Sequence, residues 1–354
     1  MSRLQAGDRI SNYILTSPIG SGSFGEVWKA QHHVFAETVA IKVPTDPQYV
    51  RNLQREGVTV HGLRHPNIVR VIDLDPYADP PYLVMEYVDG VSLRQIIERH
   101  PSGLPVDAVL PILEGILRAL KRAHEADVIH RDIKPENVLV AGGQDLKGMN
   151  PERVKVTDFG LGRVGRDTCV SMMQSGSMVT DEGRSISGTI AYMAPEQRDG
   201  RDVDARCDLY ACGVVLFEML TGERPQGTDL PGDLRAGIPP AVDEIFRQCY
   251  TRLDRRYGSA EEVLRALEKA RSEPAGPIAP PPPPPRTPPQ AASGRECPMC
   301  RTRGEPGDYF CIACGHQLVT SVPRCPSCHA FVQRSDNFCI FCGTKLHSTT
   351  MTGG

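Results

Sequence analysis

No run of apolar residues in this chain approaches the roughly 18 that a membrane span needs. The longest, Ala211 to Phe217, falls far short. Met1 to Gly20 lacks a basic segment followed by an apolar core, so no signal peptide is expected there. An excess of one charge is missing too. Lys and Arg number 40 against 43 Asp and Glu, a net charge of −3, which argues against a strongly basic nucleic-acid binder. Four cysteines, Cys169, Cys207, Cys212 and Cys249, lack a CxxC partner. They read as core or incidental thiols, with redox sensing as the alternative.

What is present is uneven along the chain. The 354 residues suggest two or three units, and 40% are hydrophobic, an ordinary globular share. Ten of the 31 prolines lie between Pro274 and Pro289, and eight of the 12 cysteines between Cys297 and Cys342. A large first part, a stiff spacer and a small Cys-rich end follow from this. Without an export signal, clustered CxxC pairs suggest metal before disulfides and a cytoplasmic location.

The first part opens with strand-like runs rich in β-branched and aromatic residues: Tyr13–Ile19, Glu26–Gln31, Thr38–Val43, Ile68–Leu74 and Tyr82–Tyr87. Arg51–Leu63 reads as a helix. From Ser92 the helical period takes over. Pro111–Ala126 carries Ile112, Leu113, Ile116, Leu117 and Leu120 on one face, and Leu209–Leu220 and Ala260–Lys269 read alike. The run Pro280–Pro285 favours an extended polyproline II spacer; a ligand for a proline-recognition module is the sharper alternative.

Gly20-Ser-Gly22-Ser-Phe-Gly25 joins two strand-like runs. Its glycines let a hairpin lie close over phosphates and offer backbone N–H groups to them. Alone the pattern is weak, and joining two strands counts against a dinucleotide fold. Lys42 ends Val39-Ala-Ile-Lys42, and Glu56 on the expected helix can pair with it. His130-Arg-Asp132-Ile-Lys134-Pro-Glu-Asn137 follows the long helix, Asp158-Phe-Gly160 follows the strand Val154–Thr157, and Gly188-Thr189 leads into Ala194-Pro195-Glu196.

The ordered set glycine loop, Lys, Glu, HRD…N, DFG and APE resembles the eukaryotic-like Ser/Thr protein kinases of bacteria over roughly three quarters of the chain. The resemblance implies an α+β fold, bilobal, with a β-rich N-lobe and a helical C-lobe over residues 13–268. It implies an ATP-dependent phosphotransferase that moves the γ-phosphate to Ser or Thr hydroxyls of protein substrates and phosphorylates its own activation loop. Phosphoryl transfer is mostly positioning and charge neutralisation. By the resemblance Lys42 holds the α/β-phosphates and Glu56 orients it. Asn137 and Asp158 hold two Mg²⁺ (or Mn²⁺) ions, Asp132 accepts the hydroxyl proton, and Lys134 sits by the γ-phosphate. Ile19, Val27 and Ala40 wall the adenine pocket with Leu139 beneath. Met85 guards its back, and the backbones of Glu86 and Val88 pair with adenine.

The same resemblance places His130 in a core stack with Phe159 and Val60. It makes Asp208 an anchor of the catalytic-loop backbone and pairs Glu196 with Arg256. Lys134 and Thr189 favour Ser/Thr over Tyr. Arg131 can pair with a phosphate on the loop, where Ser185 is the first choice and Ser187 and Thr180 follow. Two departures stand out: a polar insertion from Val140 to Val154, and a long Asp158–Glu196 segment carrying Met172, Met173, Ser175 and Ser177. A small-molecule phosphotransferase and a catalytically silent scaffold are the rivals. The first lacks the DFG-to-APE segment; intact Lys42, Glu56, Asp132, Asn137 and Asp158 argue against the second.

Cys297, Cys300, Cys311 and Cys314 follow C-x2-C-x10-C-x2-C, and Cys325, Cys328, Cys339 and Cys342 repeat it 28 residues on. Two CxxC knuckles complete a tetrahedral thiolate shell suited to Zn²⁺, and four ligands make each site structural. Two Zn²⁺ ions are expected. Another pairing of knuckles stays open, since Cys314 to Cys325 also spans ten residues. The segment 295–347 resembles a double zinc ribbon, after a Pro-rich linker at 274–294. It reads as a structural module or one that docks a partner protein, with tethering to RNA or a transcription complex as the rival. A thin surplus of six Lys and Arg over four acids from Arg295 to Gly354 gives poor support for nucleic acid. No membrane association is expected, and homodimer formation is left open.

Overall fold

The computed structural model describes residues 4–22, 25–44, 50, 61–159, 190–272, 297–302, 316, 318, 324–326 and 344–346. The chain divides into two compact units, Met1–Ala279 and Pro280–Gly354.

The first unit begins with six antiparallel strands: β1 (Arg9–Ile10), β2 (Tyr13–Gly22), β3 (Gly25–His32), β4 (Thr38–Val43), β5 (Val71–Asp75) and β6 (Tyr82–Glu86). They lie in the order β1-β2-β3-β4-β6-β5. Side chains alternate faces along a strand, and the two faces of this sheet separate accordingly. Val39, Ile41 and Val43 of β4 join Trp28, Tyr82 and Val84 in one apolar cluster. Ala40 joins Leu83 and Met85 in the other, against which Val27, Val88 and Leu139 pack. Lys42 therefore shares the face of Ala40. Register shifts in β2 between Leu15 and Ser17 and between Pro18 and Gly20 bend its end.

A second sheet holds β7 (Gly90–Ser92), β8 (Val138–Ala141) and β9 (Val154–Val156) in that order. The insertion between β8 and β9 closes on itself. The Arg153 guanidinium donates to the carbonyls of Ala141 at 2.9 Å and Asp145 at 3.0 Å. Buried Asn67 donates to the carbonyl of Val154 at 2.7 Å, and its own carbonyl accepts the Val156 N–H at 2.8 Å. The segment before β5 thus runs beside β9.

The helical part comprises α1 (Leu93–Glu98), α2 (Val106–His124), α3 (Pro195–Arg198), α4 (Arg206–Thr221), α5 (Pro231–Leu234), α6 (Pro240–Cys249) and α7 (Ala260–Ser272). Every residue of α4 from Cys207 to Leu220 is buried, so this helix is the core of the helical part rather than an amphipathic cover. Two expectations shift. Pro111 was expected to open the long helix; α2 starts five residues earlier and carries Pro111 inside. Burial of Ala108, Val109 and Leu110 outweighs the hydrogen bond a proline cannot donate. The last helix continues to Ser272, three residues beyond the expected end at Lys269. The expected helix Arg51–Leu63, with Glu56 and Val60, lies almost wholly outside the described residues.

Cys207, Cys212 and Cys249 are buried in the helical core. Burial pushes all three thiols up, Cys249 to about 12, so none is a reactive thiolate at neutral pH. Cys169 lies outside the described residues.

Candidate active site

A cleft of about 470 Å³ opens where β2, β3, β4 and β6 face β7, β8 and the two residues that follow β9. Ile19, Val27, Ala40 and Leu139 give it apolar walls; Met85, Glu86 and Val88 line one edge; Lys42 and Asp158 stand at its polar end. Gly20 also lines it. Gly22 and Gly25 pair across the β2–β3 turn. Gly25 has a packing reason for being glycine. Its φ is +135°, and a Cβ there would lie 2.2 Å from the Val43 carbonyl oxygen.

One charged pair stands at the polar end, and a second cluster lies near it, with Lys134 close enough to act on the Asp158 charge. Lys42 Nζ lies 2.8 Å from Asp158 Oδ1. Burial would raise the Asp158 carboxyl, but the Lys42 ammonium and its hydrogen bond hold it below the ordinary range. The sequence pointed to Glu56 as the partner of Lys42. Glu56 lies outside the described residues; among the described residues Asp158 is placed against this lysine. In the second cluster Lys134 Nζ donates to Asp132 Oδ2 at 2.8 Å. Asn137 Nδ2 donates to the Asp132 carbonyl at 2.8 Å and to Asp132 Oδ2 at 3.1 Å. With its amide nitrogen so used, the Asn137 Oδ1 is the atom left to face a cation.

A buried scaffold holds these side chains. Asp208 on α4 accepts the Arg131 N–H at 2.7 Å on one oxygen, and the His130 N–H and His124 Nε2 at 2.9 Å each on the other. Burial is the largest single influence and opposes the Asp208 charge, but the hydrogen bonds and electrostatic attraction of His124 and His130 together outweigh it, so its pKa is lowered. His130 stacks edge-on against Phe159 with centroids 4.6 Å apart. Its Nε2 donates to the Thr157 carbonyl at 2.8 Å, and its Nδ1 accepts the Asp132 N–H at 3.2 Å. One ring thereby links the backbone of Asp132 to the residue before Asp158. Arg131 and Asp158 adopt φ of +66° and +64°, left-handed backbone that non-glycine residues hold only when their surroundings enforce it.

Glu196 on α3 meets Arg256 through two hydrogen bonds, at 2.6 and 3.2 Å. Gln197 Nε2 donates to the Arg131 carbonyl at 3.1 Å, tying α3 to the catalytic-type loop. Sequence reasoning missed Gln197, the His124 contact, the Lys155–Glu86 ion pair, and a buried cluster in which Arg94 bridges Glu136 and Glu218 at 2.8 Å each beside Tyr192. For Lys155 a signal existed. It alternates with buried Val154 and Val156, opposite Leu139 in the β8–β9 register. Thr189, Ser185, Ser187, Thr180, Met172, Met173, Ser175 and Ser177 lie outside the described residues.

In the second unit the described residues cover half of the first cysteine motif. The Arg301 N–H donates to the Cys297 carbonyl at 2.9 Å, Arg301 takes a φ of +59°, and the Cys297 N–H donates to the Thr302 carbonyl at 3.0 Å. This tight turn carries buried Cys297 and exposed Cys300 on one short loop; Cys325 is also buried. Cys311, Cys314, Cys328, Cys339 and Cys342 are outside the described residues. Among the described residues, no group of three or more His, Cys, Asp or Glu gathers as a metal site, and no helix is long and apolar enough to cross a membrane.

Comparison with known proteins agrees with this geometry. Residues 13–247 match the protein kinase domain family, and residues 297–343 match the double zinc ribbon family. A probable serine/threonine-protein kinase of Clostridium perfringens is 32% identical over 285 residues, 75% of this chain and 39% of that protein. PrkC of Bacillus subtilis is 36% identical over 62% of this chain and 32% of its own length. PknB of Mycolicibacterium smegmatis is 33% identical over 71% and 41%. The chain thus spans about two fifths or less of these relatives. The solved kinase domain of PknI from Mycobacterium tuberculosis superposes with a TM-score of 0.59 at 26% identity, covering 76% of this chain and all of that one. A cleft between two sheets, a lysine–aspartate pair at its polar end and the family match over 13–247 lead to one conclusion: this chain belongs to the protein kinase family.

Proposed function

We propose that the chain is a serine/threonine protein kinase that transfers the γ-phosphate of ATP to Ser or Thr hydroxyls of proteins, its own activation segment included. The observation that carries this reading is the meeting of Lys42 with Asp158 at one end of an apolar-walled cleft, with the Asp132–Lys134–Asn137 cluster near Asp158. Ile19, Val27, Ala40 and Leu139 enclose the adenine, and the backbones of Glu86 and Val88 bond it. Gly20, Gly22 and Gly25 shape the turn over the phosphates. Lys42, oriented by Glu56, receives the α/β-phosphates.

Asp158 and the Asn137 amide oxygen are the hard oxygen donors that suit Mg²⁺ or Mn²⁺, which when bound neutralises charge on the triphosphate. Asp132 accepts the proton of the attacking hydroxyl, and Lys134, held 2.8 Å from it, places a positive charge where the γ-phosphate arrives. The names of the relatives, serine/threonine-protein kinases in several bacteria, support the choice of hydroxyl. Incubation with radiolabelled ATP and Mg²⁺ is expected to label Ser or Thr in the chain itself. Phosphoamino-acid analysis finding no phosphoserine or phosphothreonine would sink the reading.

We also propose that the kinase domain at 13–268 and a double zinc ribbon at 295–347, joined by the linker 274–294, are separable modules. The ribbon then holds two structural Zn²⁺ ions through Cys297, Cys300, Cys311, Cys314 and through Cys325, Cys328, Cys339, Cys342. Its family match and the Cys297–Cys300 turn support this. In this reading it docks a partner protein, and cysteines that hold zinc instead of forming disulfides suit the reducing cytoplasm. Elemental analysis of freshly purified reduced protein is expected to give two zinc ions per chain. A strong chelator should unfold the ribbons because metal supplies their folding energy; zinc near zero would overturn the assignment.

A further inference from the structure

Lys155 has no part in the chemistry above and is not among the residues lining the cleft, yet it grips one that is. Across β8–β9 it faces Leu139, and paired residues on neighbouring strands project from the same face. Leu139 lines the cleft. Lys155 Nζ reaches Glu86 Oε1 at 2.8 Å, with both side chains about three quarters buried. The same carboxylate oxygen accepts the Arg70 N–H at 2.9 Å, and the Glu86 N–H donates to the Arg70 carbonyl at 2.9 Å. Glu86 is the last residue of β6 and lies at the cleft edge. Its backbone and side chain are therefore gripped from the Arg70 segment and from β9 together.

The two ends of this ion pair belong to different sheets. Glu86 ends a strand of the six-stranded sheet, while Lys155 sits on β9, three residues before Asp158. The Arg70 segment is itself pinned to β9, for the Val69 N–H donates to the Val156 carbonyl at 2.9 Å. We propose that Lys155 is a positioning residue for the nucleotide: its ion pair with Glu86 fixes the Glu86–Val88 edge relative to the strand that leads into Asp158. This inference rests on the kinase reading. An ion pair that keeps about a quarter of each side chain exposed adds little to stability. Its value is geometric, because the edge that holds the base and the carboxylate that serves the phosphates must keep a fixed separation along one ligand.

The test uses the full chain as Lys155→Met, Lys155→Arg, Glu86→Gln and the Lys155→Met/Glu86→Gln pair. Three quantities are read: Kd for the fluorescent nucleotide MANT-ATP, KM for ATP against kcat on a generic Ser-containing protein, and Tm. Lys155→Met is expected to raise Kd and KM about 5- to 10-fold, while kcat moves less and Tm hardly at all. Lys155→Arg keeps the cation and should return Kd to within about twofold of wild type. The double variant should be no worse than either single one, since both remove one interaction. A folded Lys155→Met chain with wild-type Kd overturns the proposal, as does a loss that follows Tm equally in the Met and Arg variants. A wild-type chain that transfers phosphate while Lys155→Met is unaffected overturns the strut alone. A wild-type chain that binds no MANT-ATP removes the kinase reading and the strut with it.

Discussion

Asp158→Asn is expected to remove phosphoryl transfer by at least about 10²-fold while leaving the chain folded. The substitution keeps the shape of the side chain and removes one charge. That charge is present throughout the neutral range, because Lys42 holds the carboxyl below its usual value against the effect of burial. Asparagine cannot replace it toward a divalent cation or toward Lys42 at 2.8 Å. Replacing one carboxylate partner of a buried lysine by a neutral acceptor costs about 1–3 kcal/mol, so Tm should fall by a few degrees. Activity and Tm must be measured on the same preparation. Comparable phosphate incorporation by wild type and Asp158→Asn would refute the role given to Asp158. Activity lost together with far-UV signal would point to unfolding instead.

The second large effect concerns stability. Arg256→Met is expected to cost about 3–5 kcal/mol, because breaking a buried ion pair strands the remaining charge. Glu196 and Arg256 are 5% and 6% exposed. The guanidinium also donates to the carbonyls of Arg206 at 2.8 Å and Thr251 at 2.9 Å, and it lies 5.0 Å from the Tyr210 ring centroid. One side chain thus ties α3, α4 and the segment before α7. At about 2–4 °C per kcal/mol for a domain of this size, Tm should drop by about 6–20 °C. Adding Glu196→Met should recover part of the loss by removing the stranded carboxylate. A single variant melting within about 2 °C of wild type would show that the pair is not a structural clasp.

Local pattern carried a good part of the fold. Thr38–Val43 was legible to the residue because Val39, Ile41 and Val43 alternate with Ala40 and Lys42, and β4 has those bounds. The long helix was legible by period but not by start, since Pro111 looks like a boundary until the burial of Ala108 to Leu110 is known. The residues of the site were legible as words in a fixed order, and the resemblance supplied Asp208 and the Glu196–Arg256 pair. What sequence did not reveal are contacts between distant positions. Arg94 meets Glu218 across 124 positions, and Lys155 meets Glu86 across 69. No local period marks such a pairing; it exists only once helices and sheets have packed. His124 shows the same limit, looking like an ordinary residue at the end of a helix until Asp208 is placed against it at 2.9 Å.

The alternation along β4 has a consequence for how the chemistry is safeguarded. A slip of one position in that strand would turn Ile41 toward the cleft and drive the ammonium of Lys42 into the cluster formed by Trp28, Tyr82 and Val84. An unpaired cation in such surroundings is prohibitive, so the misthreaded chain would be unable to fold as well as unable to react. Purging sequences that thread wrongly and purging sequences that cannot handle a triphosphate are, at this strand, one and the same filter. A substitution that loosens the Val39–Ile41–Val43 face, far from any phosphate, should therefore surface first as a loss of competent protein.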